Sequence, residues 1–305
     1  MTSQEESLFI VITNHKRPAG LLKLLESITK CNNLEIVEKI IVVENGSRDA
    51  EEIVASFKEK IPVSYHHLIE GNKSLSLNYA IEIIPSSSFM LMLDDDITLS
   101  KNAISTFAKG YKKYGKKYYY GIELRPEYEI EPSEEIRPYL SDFAKISQRT
   151  PKEKDKIFNR FSYALGACWC VHNSYLRKIN GFNKFYNPQA VKGQETVAQM
   201  NLFNLGLNLI LLNGAHFMHY VPRNHISRES VLERIFKTQM FTKDRKGFLY
   251  LFKAIFLAPL IVIKSTFYTL KLSEVVKLYK YLGVISSLRV RALEDYTKQK
   301  IKDDL

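Results

Sequence analysis

Apolar runs and amphipathic segments alternate regularly over the first hundred residues of the chain. The apolar runs are short and rich in β-branched residues, as in buried strands, whereas the segments between them have helical spacing. The predicted strands are residues 8–12, 39–43, 63–68 and 89–93, and the predicted helices are residues 18–30, 49–60 and 74–84. This alternation predicts an α/β fold with a mixed, mainly parallel sheet flanked by helices.

The pattern is less regular after residue 115. A strand is expected around Cys168 and Cys170, whose side chains would share one face in the core, and another at residues 207–212. Residues 118–156 are rich in charge and proline, so they are predicted as an irregular excursion with at most a short edge strand at its start. Residues 248–263 are strongly apolar but too few to cross a bilayer.

The composition excludes several classes of protein. With 305 residues, 45% of them hydrophobic and 25% charged, the chain can bury a large core and is not disordered. Three cysteines are too few for a disulfide framework, and no apolar leader follows a basic amino terminus, which favours the cytoplasm. The net charge of +11 indicates an anionic partner, such as nucleic acid, lipid headgroups or a nucleotide.

Three consecutive carboxylates, Asp94, Asp95 and Asp96, follow the predicted strand at residues 89–93. In open α/β sheets, ligands bind beyond the carboxyl ends of the strands, which is where these acids would lie. Adjacent carboxylates repel one another, and hard oxygen ligands suit Mn²⁺ or Mg²⁺, so the cluster indicates a divalent metal that carries a diphosphate. The alternative is a solvated turn that caps the helix after residue 101.

The order and spacing of three segments resemble the amino-terminal motifs of family 2 glycosyltransferases with the GT-A (Rossmann-like) fold. These segments are Ile10 to Pro18, Ile41 to Ser47 and Leu93 to Asp96. The resemblance implies inverting transfer of a sugar from a nucleotide-diphosphate sugar, with Mn²⁺ or Mg²⁺. The donor would be bound by Thr13, Arg17, Glu44, Lys73, Asn78, Asp94 and Asp95, of which Thr13 and Glu44 would hold the base.

Individual donor-side positions differ in how well they match the family. Glu44 stands where the family usually has Asp, and the stretch Lys73 to Asn78 is equally consistent with a plain amphipathic helix. Asp96 would be the main metal ligand. His219 is favoured over His216 as a second ligand, although either histidine is equally consistent with a structural position.

The second half of the chain contains segments similar to the family's acceptor side, Gly166 to Cys170, Tyr175 to Phe182 and Gly193 to Thr196. In the family, a carboxylate of the last motif accepts the proton of the acceptor hydroxyl. Threonine occupies its second position here and cannot act as a base near neutral pH, so the role falls to Glu195 or to another group. Trp169 is predicted either to stack on the acceptor or to be part of the core.

These motifs suggest a catalytic domain at residues 1–226, with a nucleotide-sugar half to about residue 115 and an acceptor half after it. Residues 227–305 would form a helical extension. In that extension, Lys246, Lys253, Lys264 and Lys271 would form a basic stripe on an apolar helix, which favours peripheral contact with anionic lipid at the inner face of the cell membrane. The alternative is a helical hairpin packed on the catalytic domain or on another subunit of a homo-oligomer.

The expected acceptor is a growing glycan or a lipid-linked sugar, as in surface polysaccharide synthesis. Two other functions remain open: a nucleotidyltransferase that activates a sugar phosphate, and a non-catalytic protein that binds a sugar nucleotide. Nucleic-acid binding is disfavoured because the aromatic residues are not interleaved with arginine in a recognisable module. No Walker loop or Gly-x-Gly-x-x-Gly run is present, which disfavours P-loop and dinucleotide enzymes.

Overall fold

The computed structural model describes residues 7–145, 154–183, 193–241, 248–267, 270–282 and 284–286. The described strands are β1 (Leu8–Asn14), β2 (Val37–Asn45), β3 (Val63–Leu68), β4 (Phe89–Asp94), β5 (Ile97–Leu99), β6 (Tyr118–Tyr128), β7 (Lys156–Ile157), β8 (Cys168–His172) and β9 (Asn208–Val221).

The helices of the described residues are α1 (Pro18–Thr29), α2 (Glu51–Ala55), α3 (Lys73–Ile83), α4 (Ala103–Tyr114), α5 (Asn173–Lys178), α6 (Gln194–Asn204), α7 (Arg228–Phe241) and α8 (Phe248–Phe267). A further helical stretch covers residues 272–282. Short 3₁₀ turns lie at Leu34–Ile36, Arg137–Tyr139, Asp142–Ala144 and Arg223–His225.

The strands form one mixed sheet in the order β3-β2-β1-β4-β8-β6-β9-β5, and β7 pairs with β9. Strands β1 to β4 are parallel to one another, as the alternation of strands and helices predicts. From β8 onwards the direction changes, because β8 runs antiparallel to both β4 and β6, whereas β6 and β9 are parallel. The expected α/β class with a mainly parallel, helix-flanked sheet is therefore confirmed.

Helices cover both faces of this sheet because the strands are apolar on both sides. Ile10 and Ile12 belong to a core that also contains the inner faces of α1, α2 and α4. Phe9 and Val11, which alternate with them, belong to a second core with α3, α5 and α6. The strand ends at the carboxyl edge are thereby left for polar residues.

Two elements of the second half differ from the prediction. β6 is an eleven-residue interior strand rather than a short edge within an irregular excursion, and β9 extends to Val221 instead of ending at residue 212. Both strands mix buried and exposed positions, which hides them from a search for apolar runs. The helix predicted at residues 49–60 is also wrong in length, because only Glu51–Ala55 is helical and turns follow.

The described residues divide into two compact units. The larger unit contains the sheet and its helices, as far as Glu129 and again from Ser141 to Val221. The second unit contains residues 130–140 and those that follow Val221, and it is helical. None of the helices in the described part of the chain has both the length and the apolar character that a membrane crossing requires.

Candidate functional site

The triple aspartate lies at the carboxyl edge of the sheet, where the sequence predicts a site. Asp94 is the last residue of β4 and is paired in register with Thr13 of β1. Thr13 is buried at this edge. The edge is also closed by the beginnings of α3 and α6, which contribute Lys73 and Glu195.

Arg17 binds two of the three aspartates. One guanidinium nitrogen lies 2.9 Å from Asp95 Oδ1 and the other donates to Asp96. Gly20 allows α1 to pack closely against the loop that carries the aspartates, because a Cβ at this position would lie 2.5 Å from the carbonyl oxygen of Asp95. The loop that carries the acids is thus packed against the start of α1, and Arg17 supplies it with a counter-charge.

Asp95, one of the predicted donor-binding residues, points into the protein. Its side chain is 0% exposed. Besides Arg17, its carboxylate accepts hydrogen bonds from the Asn14 amide at 2.8 Å and from the His15 backbone N–H at 3.3 Å. Asp95 therefore fixes the loop after β1.

Lys73 connects the donor side to the acceptor side of the site. Its ammonium group forms ion pairs with both Asp94 and Glu195. Space for Glu195 is left by Gly166, where a Cβ would lie 2.9 Å from the carboxyl carbon of Glu195. Two segments more than a hundred residues apart are thereby joined through one lysine.

Asp96 and His219 are brought together by the pairing of two strands. β5 begins immediately after Asp96, and its Ile97 is paired with His219 of β9. Tyr220 extends this pairing by donating its backbone N–H to the carbonyl of Asp96. As a result, His219 Nε2 lies 3.7 Å from Asp96 Oδ1. His216, the alternative, lies elsewhere on β9, opposite Glu123.

The electrostatics of the cluster differ from one acid to the next. Burial raises the pKa of Asp94 to about 6, with Asp96 and Glu195 adding to the rise and Lys73 opposing it. Burial also raises the pKa of Asp95 to about 7, although Arg17 opposes this. For Glu195, burial is outweighed by the charge and hydrogen bond of Lys73, so its pKa is lowered below the ordinary value. Glu195 is therefore held ionised.

Glu44, which the family resemblance predicts at the base, is held by the protein itself. Glu44 is 0% exposed, and its two carboxylate oxygens accept hydrogen bonds from four groups of the protein itself. The donors are the Ser47 hydroxyl, the Tyr65 hydroxyl, and the backbone N–H groups of Asp49 and Ala50. The Glu44 carboxylate therefore holds the loop before α2 in place, and both of its oxygens are used by hydrogen bonds within the protein.

Asn78 and Trp169 are also structural in this fold. The amide of Asn78, a predicted donor-binding residue, donates to the Phe182 carbonyl and accepts from the Phe182 N–H. Trp169 is 0% exposed and packs edge-on against Tyr119 and Phe182. Of the two predictions for Trp169, the core position is confirmed and acceptor stacking is wrong, because no face of the ring is accessible. Cys168 and Cys170 are buried in the core as predicted.

Two neighbours of the site were not predicted. His15 donates Nδ1–H to the Asn45 carbonyl at 2.7 Å, which leaves Nε2 as an acceptor. Its ring lies against Gly46 and Gly71, where a Cβ would approach it to within 3.2 and 3.4 Å. Asn14 holds Asp95, as described above. The sequence signal was their position immediately after a strand, beside Thr13.

The comparisons with known proteins agree with this arrangement. The sequence model described as "Glycosyl transferase family 2" matches residues 9–180, more than half of the chain and including the triple aspartate. The chain belongs to glycosyl transferase family 2. No curated protein matches this family 2 enzyme by sequence.

Solved structures of glycosyltransferases share the fold of this family 2 enzyme. One is TarS 1-349 of S. aureus in complex with UDP-GlcNAc, at 14% identity and a TM-score of 0.54, covering 86% of this chain and 74% of that one. Another is the mannosyltransferase PcManGT of Pyrobaculum calidifontis in complex with GDP-Man and Mn²⁺, at 10% identity and a TM-score of 0.55, covering 96% and 76%.

The predicted family and GT-A fold are therefore confirmed, and so is the general activity. This family 2 enzyme is a nucleotide-sugar glycosyltransferase. Within the described residues, no group of three or more His, Cys, Asp or Glu side chains is arranged as a metal site. Asp96 and His219 form a pair, and a metal at that pair would need its remaining ligands from substrate or water.

Proposed function

We propose that this family 2 enzyme transfers the sugar of a nucleotide-diphosphate sugar to a hydroxyl group with inversion, with Glu195 as the base. The observation that carries the proposal is the single ion-pair network in which Lys73 joins Asp94 at the end of β4 to Glu195 at the start of α6. A donor bound at the aspartates would therefore lie beside a carboxylate that faces it from the other side of the site.

A divalent cation fits the residues present. Asp96 Oδ1 is buried and accepts no hydrogen bond from the described residues, and His219 Nε2 lies near it. Their separation of 3.7 Å is suitable for two ligands of one ion, each at roughly 2.1 Å from it. We assign Asp96 and His219 to Mn²⁺ or Mg²⁺. When bound, the ion would offset the charge that develops on the leaving diphosphate.

The charge of the cluster supports the same assignment. Four carboxylates, Asp94 to Asp96 and Glu195, form ion pairs with two permanently charged side chains, Arg17 and Lys73, whereas His219 beside Asp96 adds a charge only when it is protonated. The six groups in question are these four acids and two cations. With all six groups ionised the net charge is −2, which repels a diphosphate unless a divalent cation arrives with it.

Transfer then requires that one proton moves, one bond forms and one bond breaks. The acceptor hydroxyl gives its proton to the Glu195 carboxylate while its oxygen bonds to the anomeric carbon. The bond from that carbon to the diphosphate oxygen breaks, and the nucleoside diphosphate leaves with the electron pair. Attack from the face opposite the leaving group inverts the configuration. Thr196 has no part in this step because its hydroxyl is not a base near neutral pH.

A screen of sugar nucleotides tests the proposal. UDP- and GDP-sugars are added to the purified chain with Mn²⁺, with Mg²⁺ or with EDTA, and the melting temperature and donor hydrolysis are measured. We expect one donor to raise the melting temperature only with a divalent cation. Equal stabilisation in EDTA would contradict the metal assignment, and release of pyrophosphate from a sugar phosphate and a nucleoside triphosphate would favour a nucleotidyltransferase instead.

We also propose that the second unit contacts an anionic membrane surface, where a lipid-linked acceptor would be available. Residues 222–305 contain 17 Lys and Arg against 8 Asp and Glu, so they carry +9 of the net charge of +11. On α8, Phe256, Leu260 and Ile263 are each more than half exposed. A basic region with apolar side chains at its surface suits the headgroup layer of a bilayer.

Of the predicted basic stripe, Lys264 forms an ion pair with Glu274, Lys271 lies before the last helical stretch, the side chain of Lys253 is not described and Lys246 lies outside the described residues. Co-sedimentation with phosphatidylglycerol and phosphatidylcholine vesicles tests the contact. We expect binding to the first only, and weaker binding for Leu260→Ser than for the control Ile157→Ser, which replaces an exposed residue of β7. Equal binding by both variants would contradict a role for α8.

A further inference from the structure

Lys73 pairs with two carboxylates of the protein, one on the donor side and one on the acceptor side of the proposed site. Asp94 ends β4 beside the donor-side acids, whereas Glu195 begins α6 on the acceptor side. An ammonium group has three N–H donors, and these two ion pairs use two of them. The Lys73 side chain is 29% exposed, so it is not sealed from solvent.

Glu195 depends more than Asp94 on the positive charge of Lys73, because its side chain is the less exposed of the two. It is 13% exposed, and the Gly166 backbone lies against its side chain. Its neighbour Gln194 is held by the Ser74 hydroxyl, so the start of α6 is fixed against the start of α3. A carboxylate held in this way by an ammonium group is a poor proton acceptor, because the ion pair stabilises its charged form.

A diphosphate competes for the same cation. It carries more negative charge than one carboxylate and presents several acceptor oxygens. Asp94 would keep Lys73 on the donor side, so Lys73 could exchange its ion pair with Glu195 for one with the diphosphate. We infer that Lys73 is a switch: in the empty site it holds Glu195, and on donor binding it moves to the diphosphate and releases Glu195 to the acceptor hydroxyl. This inference rests on the proposed function and assigns Lys73 a positioning role in it.

The switch has a thermodynamic consequence that can be measured without an acceptor. If Glu195 and the diphosphate compete for Lys73, removal of the Glu195 charge must strengthen diphosphate binding, since coupling between two sites is reciprocal. A lysine with only a structural role would give no such gain. The test measures the dissociation constants of UDP and GDP, each with Mn²⁺, by calorimetry for the wild-type chain, Glu195→Gln, Lys73→Met and the double variant.

We expect Glu195→Gln to bind the preferred nucleotide about fivefold more tightly than the wild type, within the usual range of coupling between sites. Lys73→Met should bind it more weakly. In the Lys73→Met background, Glu195→Gln should give no gain, which separates the switch from a general loss of negative charge. Glu123→Gln is the matched control, because Glu123 pairs with Arg125 on β6 and has no contact with Lys73 among its described ion pairs.

Each outcome decides one claim. Unchanged or weaker binding by Glu195→Gln overturns the switch, and so does a gain that persists without Lys73. If Lys73→Met fails to fold, Lys73→Gln replaces it in the cycle, and unchanged or weaker binding by Glu195→Gln still overturns the switch without either lysine variant. Binding of neither nucleotide by the folded wild-type chain would instead count against the proposed function itself.

Discussion

The donor side and the acceptor side of the site are built very differently. On the donor side three adjacent aspartates have several partners: Asp94 pairs with Lys73, Asp95 with Arg17 and the loop after β1, and Asp96 with the same Arg17 and with His219. On the acceptor side, the acid that the described ion pairs place at the site is Glu195, and its cation is the donor-side Lys73. The donor side is thus held by several ion pairs and hydrogen bonds, whereas the acceptor side depends on Glu195 and on a lysine that also pairs with a donor-side aspartate.

This difference predicts that the largest effect follows a change on the acceptor side. Glu195→Gln should lower the rate of transfer by about 100- to 10,000-fold, since it removes the proposed base. Thr196→Val is the matched control at the next position and should leave the rate nearly unchanged. Steady-state kinetics with saturating donor measure both, and an equal loss for Thr196→Val would contradict the assignment.

A smaller but still large effect is expected on the donor side at Asp96. Asp96→Asn should lower transfer by about 100- to 1,000-fold and weaken Mn²⁺ binding, because one ligand of the ion is lost. Asp142→Asn makes the same change at an exposed acid and should have neither effect. Rates measured across a range of Mn²⁺ concentrations, with circular dichroism to check folding, test this; wild-type metal dependence in Asp96→Asn would refute it.

The crowded donor acids should also make stability depend on pH. The folded pKa values of Asp94 and Asp95, about 6 and about 7, are above the ordinary 3.8, so the folded state holds more protons than the unfolded state in between. The free energy of unfolding contributed by these groups is present below about pH 4 and is lost as the pH rises through 6 and 7. Urea unfolding in EDTA at several pH values measures it.

Asp95→Asn removes one of these two groups and should make the curve flatter over that range. Asp142→Asn again serves as the control and should leave the shape unchanged. An unchanged curve in Asp95→Asn would mean that Asp95 is fully ionised in the folded state over this range, and would contradict the raised pKa.

The smallest effect on activity is expected at Glu44. Glu44→Gln places an amide against backbone N–H groups, which should lower the free energy of unfolding by about 1–3 kcal/mol. Donor affinity should stay unchanged because Glu44 faces the loop before α2. Chemical unfolding and nucleotide calorimetry on the same variant test the two parts, and a loss of affinity without a loss of stability would restore Glu44 to the donor site.

The sequence predicted the elements whose signal is local. β1 to β4 are apolar runs bounded by turns, and the acids that follow β4 lie at the predicted edge of the sheet. It could not show that Glu44, Asn78 and Asp95 turn inward, because a motif fixes a position along the strand and not the hydrogen bonds that a side chain finds. It also missed the length of β9, whose alternating exposed positions carry His219 next to Asp96.

The pairing of β5 with β9 has a consequence for how the enzyme could be divided. The first ligand of the proposed metal pair lies at residue 96 and the second at residue 219, and β5 has no other described strand partner than β9. The half that carries the nucleotide motifs is therefore not a transferable module. A shortened chain that ends before β9, or a chimera that exchanges the second half, would keep the aspartates and lose the pairing that places Asp96 beside His219.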